Sequence, residues 1–290
     1  MPVHDDLGCR MKEYYEQIPK TKLMRRCPVI IRIDGKAFHS FTKGFKRPFD
    51  DVLIESMQQT MKYLCENIQG CVLGYHQSDE ISLILVDYQK LTSAAWFDYE
   101  VQKICSIAAS MATMAFNKLL YKKIDDYANT DEVLADLYED VQSDKEKIQR
   151  YFSALKDALM KGAMFDARCF NIPKEEVTNY IYWRQLDATR NSIQMVGQAN
   201  FSHKELHGKS CNQIQDMLMT QKGINWNDFP IYQKRGSCCV KERYSTVDLA
   251  TYTGSVAAIT RTHWVIDKEI PIFKGEDRDY IDKLIYVGEE

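Results

Sequence analysis

Two short apolar runs in the N-terminal third of the chain end in carboxylates. Val29-Ile30-Ile31-Arg32-Ile33 stops at Asp34-Gly35-Lys36, and Leu73-Gly74-Tyr75-His76-Gln77-Ser78 reaches Asp79-Glu80 before Ile81-Ser82-Leu83-Ile84-Leu85 resumes. If a strand delivers Asp34 to its exit and a hairpin delivers Asp79 beside it, two carboxylates converge at one end of a sheet. Hard divalent cations take such oxygen ligands, and Mg²⁺ is commonly shared between one or two carboxylates and substrate phosphates. Two ions held this way can activate a hydroxyl and stabilise a leaving phosphate. Gly35 lets the backbone approach closely, so its carbonyl is a candidate further ligand. The amides of Lys36, Ala37, Phe38 and His39 could cradle a triphosphate. Lys43, Lys46 and Arg47 follow at a distance suited to neutralising its outer phosphates. Glu80 stands apart. Successive strand residues face opposite sides, so it would share Asp79's site only through a turn or bulge.

Each signal is weak alone. Asp-Gly after a strand is commonly a turn, an acidic hairpin tip is commonly solvated, and a single histidine such as His39 is commonly packed. The ordered combination of strand-Asp-Gly, basic loop and strand-acidic turn-strand points to a two-metal nucleotidyl-transfer site.

The elements that must position these residues are legible in outline. Val29 to Ile33 reads as a buried strand. Asp50 can cap a helix carrying Leu53, Met57, Met61, Leu64 and Ile68 on one face. Cys71 to Tyr75 and Ile81 to Val86 read as strands joined through His76-Gln77-Ser78-Asp79-Glu80. Val101 to Leu120 is a periodic helix, and Ala163 to Pro173 a strand. The acidic stretch from Tyr121 to Met160 reads as a helical excursion on the surface. Helices are expected over Val177 to Asn200 and from an N-cap at Ser210 to Gly223, with short mixed segments to the end. The order of elements predicts an α+β fold with an antiparallel sheet and helices on one face. Residues 1–175 form the expected catalytic domain. Residues 176–290 form a smaller helical and mixed C-terminal region.

Composition narrows the class. The chain has 290 residues, 45% hydrophobic and 27% charged, enough to build a core. No apolar run approaches the roughly 18 residues of a membrane span, and the polar start is unlike a signal peptide. A cytoplasmic protein is expected. Nine cysteines are scattered without a Cys-x-x-Cys pair, which argues for core thiols over structural zinc. The net charge of −3 does not advertise nucleic-acid binding, so any RNA must dock on local basic patches.

The motifs "RIDGKAFHSF", "GYHQSDEISLIL", "FDARCFNIP" and "YWRQLDATRNSI", in that order, resemble the tRNA(His) guanylyltransferase family over roughly Tyr14 to Arg235. The resemblance implies a palm-like catalytic fold and a homotetramer, a dimer of dimers. It implies two Mg²⁺ ions at Asp34, Gly35 and Asp79, with Glu80 as a third acidic catalytic position. It implies nucleotide binding by Asp34 to His39, Ser78 and Asp79, with Arg47 and Asp50 tied to triphosphate handling. ATP, GTP and other nucleoside triphosphates would be substrates, and tRNA the partner. The implied chemistry adds nucleotides to the 5′ end of tRNA in the 3′–5′ direction. Asn191 matches an asparagine of the family's signature helix. Asp187-Ala188-Thr189-Arg190-Asn191-Ser192-Ile193 departs from the His-Ile-Asn-Asn type signature of the eukaryotic enzymes. Together with Phe201 to Ser210 it looks like the "-like" branch, which implies templated repair of 5′-truncated tRNAs. Addition of G at position −1 of tRNA(His) is the alternative, and a nucleotide cyclase on the same palm a further one. Candidate RNA contacts are Arg190, Asn191, Lys204, Lys209, Lys234 and Arg235.

Overall fold

Three strands rich in β-branched and apolar residues make the centre of the molecule. β1 (Val29–Gly35) is flanked by β3 (Glu80–Leu85) and β4 (Phe165–Asn171), and β2 (Cys71–Gln77) lies beyond β3. All pairings are antiparallel, with Ile30 opposite Ile84 and Asp34 opposite both Glu80 and Asp166. In the computed structural model, residues 5–129, 142–248 and 257–287 are described.

Val29, Ile30, Ile31 and Ile33 are all fully buried, so β1 is covered on both faces, as its unbroken apolar run requires. On one face Ile31, Ile33 and Leu83 meet Met57, Met61 and Leu64 of helix α3 (Asp51–Asn67) and Ile104, Ala108 and Phe116 of α4 (Val101–Ala128). Before them in the chain lie the short helices α1 (Asp6–Met11) and α2 (Phe38–Phe41). Asp50 caps α3, accepting from the Leu53 amide at 2.9 Å, as its position predicts. Helix α5 (Gln142–Lys161) corrects the expected surface excursion. Tyr151, Leu155 and Ala158 are buried in this same core, and α4 runs on to Ala128. The rest of the acidic stretch, 130–141, lies outside the described residues.

The α+β class and the antiparallel sheet stand as expected, and the helices expected to cover the sheet, α3 and α4, share one face. The division at residue 175 is not a structural boundary, because the C-terminal third completes the same sheet. Helix α6 (Lys174–Asn200) packs Val177 and Ile181 on Ile30, Leu73 and Ile84 of the opposite face, joined by Ile281 and Ile285 of a helix at Asp279–Ile285. Two further strands, β5 (Ser237–Asp248) and β6 (Ala257–Asp267), extend the order to β4-β1-β3-β2-β5-β6. In sequence they read as mixed segments, because charged and polar residues break the apolar alternation (Lys241-Glu242-Arg243). β5 pairs with β2 only from Ser237 to Cys239, while its pairing with β6 continues to Asp248. The hairpin therefore runs past the sheet edge and needs no second apolar face.

A smaller core of Ile193, Val196, Phe201, Ile214, Leu218 and Trp226 joins the end of α6 to the segment after it. Ser210 caps the helix at Cys211–Met217 there, as expected, through a reciprocal pair with Gln213.

Candidate active site

Strand β1 and the β2–β3 hairpin bring the two acidic stretches together. The hairpin turns through only Ser78 and Asp79, and Ser78 adopts φ 53°, the left-handed backbone that tight hairpins require. The Gly35 amide donates to the Asp79 carbonyl at 3.1 Å, which fastens the tip to the exit of β1. Burial, and then the neighbouring Asp34 charge, push the Asp79 carboxyl above its ordinary range. Like charges held close in partial burial favour a cation between them. Among the described residues no third His, Cys, Asp or Glu completes a metal cluster. Two carboxylates and a backbone carbonyl suit Mg²⁺, which keeps waters and substrate phosphates in its coordination sphere.

Glu80 reaches Asp34's face by a simple route. It is the first residue of β3 and lies directly opposite Asp34, so cross-strand pairing places their side chains on one side without a bulge. Its carboxylate is occupied. Arg184 of α6 donates from Nε to Oε1 at 2.7 Å and from Nη2 to Oε2 at 2.8 Å. Burial raises the Glu80 carboxyl while the Arg184 charge pulls it down. The network continues from Arg184 Nη2 to Asp187 at 3.0 Å, and Asp187 also accepts from Arg190 and Asn191. On the other side, Arg32 Nε lies 4.0 Å from Glu80 and has no hydrogen-bond partner. Glu80, expected as a third catalytic acid, is therefore held between two arginines beside Asp34.

Arg184, Asp187 and Arg32 escaped the sequence reading. One signal was available: Ile181, Arg184, Gln185 and Ala188 share the buried face of α6, and an arginine on such a face requires an internal anion. His76 escaped too. Its neutral ring donates from Nε2 to the Ser78 carbonyl at 2.9 Å, and burial pushes its imidazole down to about 4. It supports the hairpin tip from behind.

The proposed phosphate loop is brought together in part. The Lys36 amide is spent on the Met164 carbonyl at 2.8 Å, so a backbone cradle can use only Ala37, Phe38 and His39. Ala37 adopts φ 55° at the start of α2. The Phe38 side chain is core, packed on Phe41, Phe116 and Phe165. A Cβ at position 35 would lie 2.3 Å from its ring, which is why a glycine follows Asp34. His39, Lys46, Arg47 and Asp50 line one cavity of about 160 Å³. Lys46 Nζ donates to Tyr127 Oη at 3.0 Å. Lys43 is exposed and outside that lining. Asp50 is 4% exposed at the edge of this cavity, and its carboxylate accepts from the Leu53 amide, the Lys46 amide and Tyr151 Oη. These bonds let it shape the loop. A neighbouring cavity of about 80 Å³ lies between Ser78, His76, Asn191 and Tyr232.

The candidate RNA contacts divide. Lys204 and Lys209 are exposed, and Arg190 is exposed beside Asp187. Lys234 is corrected. It is 8% exposed, and its Nζ donates to the Asn227 carbonyl and lies over Trp226, so its charge is used inside the fold. Arg235 is half-buried, its carbonyl accepting from Tyr75 Oη at 2.6 Å.

The family model described as tRNAHis guanylyltransferase (Thg1) matches residues 9–173, more than half of the chain. A bacterial tRNA(His) guanylyltransferase (Thg1)-like protein solved in complex with ATP is 41% identical with a TM-score of 0.75, and the match covers 97% of this chain and 100% of that one. A bacterial protein of the same description solved with GTP is 39% identical with a TM-score of 0.70, at 97% and 100% coverage. The tRNA(His) guanylyltransferase of Saccharomyces cerevisiae is 24% identical over 234 residues, covering 76% of this chain and 85% of the relative. An antiparallel sheet carrying a carboxylate pair at one end, with these relatives, defines a nucleotidyltransferase. The chain belongs to the tRNAHis guanylyltransferase family.

Proposed function

We propose that this enzyme adds nucleotides to the 5′ end of tRNA in the 3′–5′ direction, directed by the opposing base, and so repairs 5′-truncated tRNAs. The observation that carries the reading is the junction of Asp34 and Asp79, fastened by the Gly35–Asp79 hydrogen bond. The bacterial Thg1-like proteins bound to ATP and GTP support nucleoside triphosphates as substrates. Their identity of 41% and 39%, against 24% for the yeast guanylyltransferase, agrees with the "-like" motif from Asp187 to Ile193, on which the preference for repair rests.

Asp34, Asp79 and the Gly35 carbonyl would hold two Mg²⁺. When bound, the ions would lower the pKa of the attacking 3′-hydroxyl and screen the leaving phosphate. The chain's own groups position the reactants. The Ala37, Phe38 and His39 amides and Arg47 orient the triphosphate, and phosphoryl transfer depends chiefly on such alignment and charge. The Glu80–Arg184 pair keeps Asp34 against a fixed wall. Asp50 sets the path of the Lys46–Arg47 loop. The active unit is proposed as a homotetramer, working in the cytoplasm.

The test uses a tRNA lacking its first acceptor nucleotide, with ATP, Mg²⁺ and each labelled triphosphate in turn. Incorporation of the base complementary to the opposing nucleotide, whatever the tRNA, is the expected result. Addition of G to tRNA(His) alone would replace repair by G−1 addition. Cyclic products formed without RNA would replace both by a cyclase.

A further inference from the structure

Beside the nucleotide cavity lies a second concavity that the chemistry above does not use. It runs between the C-terminal half of α6 and the segment that follows, with Gln194 and Gln198 on one wall and His203, His207 and Lys209 on the other. Phe201, Leu206 and Ile214 form its apolar floor, and its volume is about 450 Å³, within the ~300–1,000 Å³ of ordinary ligand sites. Gly197 makes the groove narrow. A Cβ there would meet Ile214 at 2.7 Å, so only glycine lets the second wall close on α6.

We propose that this groove holds phosphates of the polynucleotide strand that leads to the 5′ end being extended, an assignment that rests on the proposed function. Three observations converge on an anion. First, none of the residues lining the groove is Asp or Glu, although the chain has more acidic than basic residues, 41 against 38. Second, among the described residues Arg47, His203, His207 and Lys209 take part in no ion pair. The one carboxylate on the wall segment, Glu205, is turned away onto the Ser202 amide and hydroxyl at 2.8 and 2.7 Å. The two imidazoles stand 6.1 Å apart, open to an acceptor between them or beside each. Third, Arg47 and Gln198 line both this groove and the cavity of His39 and Lys46. The two concavities are therefore contiguous, and Arg47 marks the join. A strand lying in the groove would bring its end to Arg47, next to the nucleotide. Glutamine amides between cationic groups suit phosphodiester oxygens, which accept hydrogen bonds without regard to base sequence. That indifference is what an enzyme extending many RNAs needs.

The test measures binding, so it does not depend on turnover. A short hairpin RNA with a 5′-monophosphate and a 3′ fluorophore is titrated with the full-length Asp34→Asn protein across a salt series. ATP affinity is measured in parallel on the same variants with Asp34 intact. Adding His203→Ala and His207→Ala is expected to weaken RNA binding roughly tenfold by removing two ring N–H donors, and adding Lys209→Gln to reduce the salt slope by about one. ATP affinity should be unchanged. His203→Gln with His207→Gln, which keep a donor at each position, should recover RNA binding, and Lys209→Arg should keep the salt slope, which separates lost contacts from a damaged fold. Unchanged RNA affinity and salt slope would overturn the proposal. A parallel loss of ATP affinity would also overturn it, by assigning the groove to the nucleotide. A wild-type enzyme that binds RNA through the groove yet adds no nucleotide would sink the proposed function and leave the groove standing.

Discussion

Arg184 grips both carboxylate oxygens of Glu80, at 2.7 and 2.8 Å, one strand away from Asp34. Both side chains are 8% exposed. The bond ties α6 to the end of the sheet where Asp34 and Asp79 converge. Removing one partner of a buried pair leaves an uncompensated charge and costs about 3–5 kcal/mol. Arg184→Ala should lower folding stability by that amount in urea titrations. Arg184→Lys, which cannot span both oxygens, should lose less. Wild-type stability of Arg184→Ala would show that the pair carries little.

Asp79 predicts an unusual trade between stability and activity. Its carboxyl titrates above the ordinary range because of burial and Asp34, so ionisation disfavours the metal-free fold. That fold should gain stability as pH falls through the raised value. Asp79→Asn removes the charge and should raise the melting temperature of chelator-treated protein. The same change should abolish the further rise that Mg²⁺ with ATP gives the wild type. Thermal melts with and without Mg²⁺ check both signs, and a destabilised metal-free Asp79→Asn would contradict the electrostatic reading.

His76 works in the opposite direction. Its folded value of about 4 lies below the roughly 6.5 of a free imidazole. Its support is fully present above pH ~6.5 and is lost as pH falls towards the folded value. His76→Gln keeps a donor for the Ser78 carbonyl and cannot titrate. Its stability should fall less steeply over that window in denaturant titrations at stepped pH. An unaltered pH profile would remove His76 from the account.

Gly35 and Phe38 are coupled sterically. Gly35→Ala drives a methyl into the Phe38 ring, and overpacking of this kind costs about 1–3 kcal/mol. Combining it with Phe38→Leu should recover part of that loss, as the coupling term of a double-mutant cycle. Strict additivity would show that the two do not meet.

Asp50 separates capping from phosphate handling. Asp50→Ala should cost about 0.5–2 kcal/mol through the lost N-cap, whereas Asp50→Asn can still cap α3 but sets an amide donor against the Lys46 amide. If Asp50 acts through the loop, both variants weaken nucleotide binding measured by calorimetry, and Asp50→Asn does so with the smaller loss of stability. Unchanged binding in Asp50→Asn would remove Asp50 from phosphate handling.

These cases show what the sequence made legible. Asp34, Asp79 and the Asp50 cap could be read because each sits at the end of a strongly patterned element, where one residue's place follows from its neighbours. Partners across the sheet could not. That Arg184 meets Glu80, separated by 104 positions, depends on how α6 crosses the sheet, and no local pattern encodes that crossing angle. Lys234 misled for the same reason. Beside Arg235 it reads as a surface cluster, but it is buried over Trp226 with its ammonium donating to the Asn227 carbonyl. The β5–β6 hairpin was missed because a ribbon running past its sheet needs no alternating apolar face, so the usual signal was never written.

The central claim is that Asp34 and Asp79 together drive nucleotide addition at an RNA 5′ end. The most direct measurement is single-turnover incorporation of labelled nucleotide into a 5′-truncated tRNA in Mg²⁺, comparing wild type with Asp79→Asn at matched stability. The variant is expected to lose about 10²-fold or more, the scale of removing a charge-stabilising group from a transition state, while tRNA binding persists. Incorporation at the wild-type rate would contradict it.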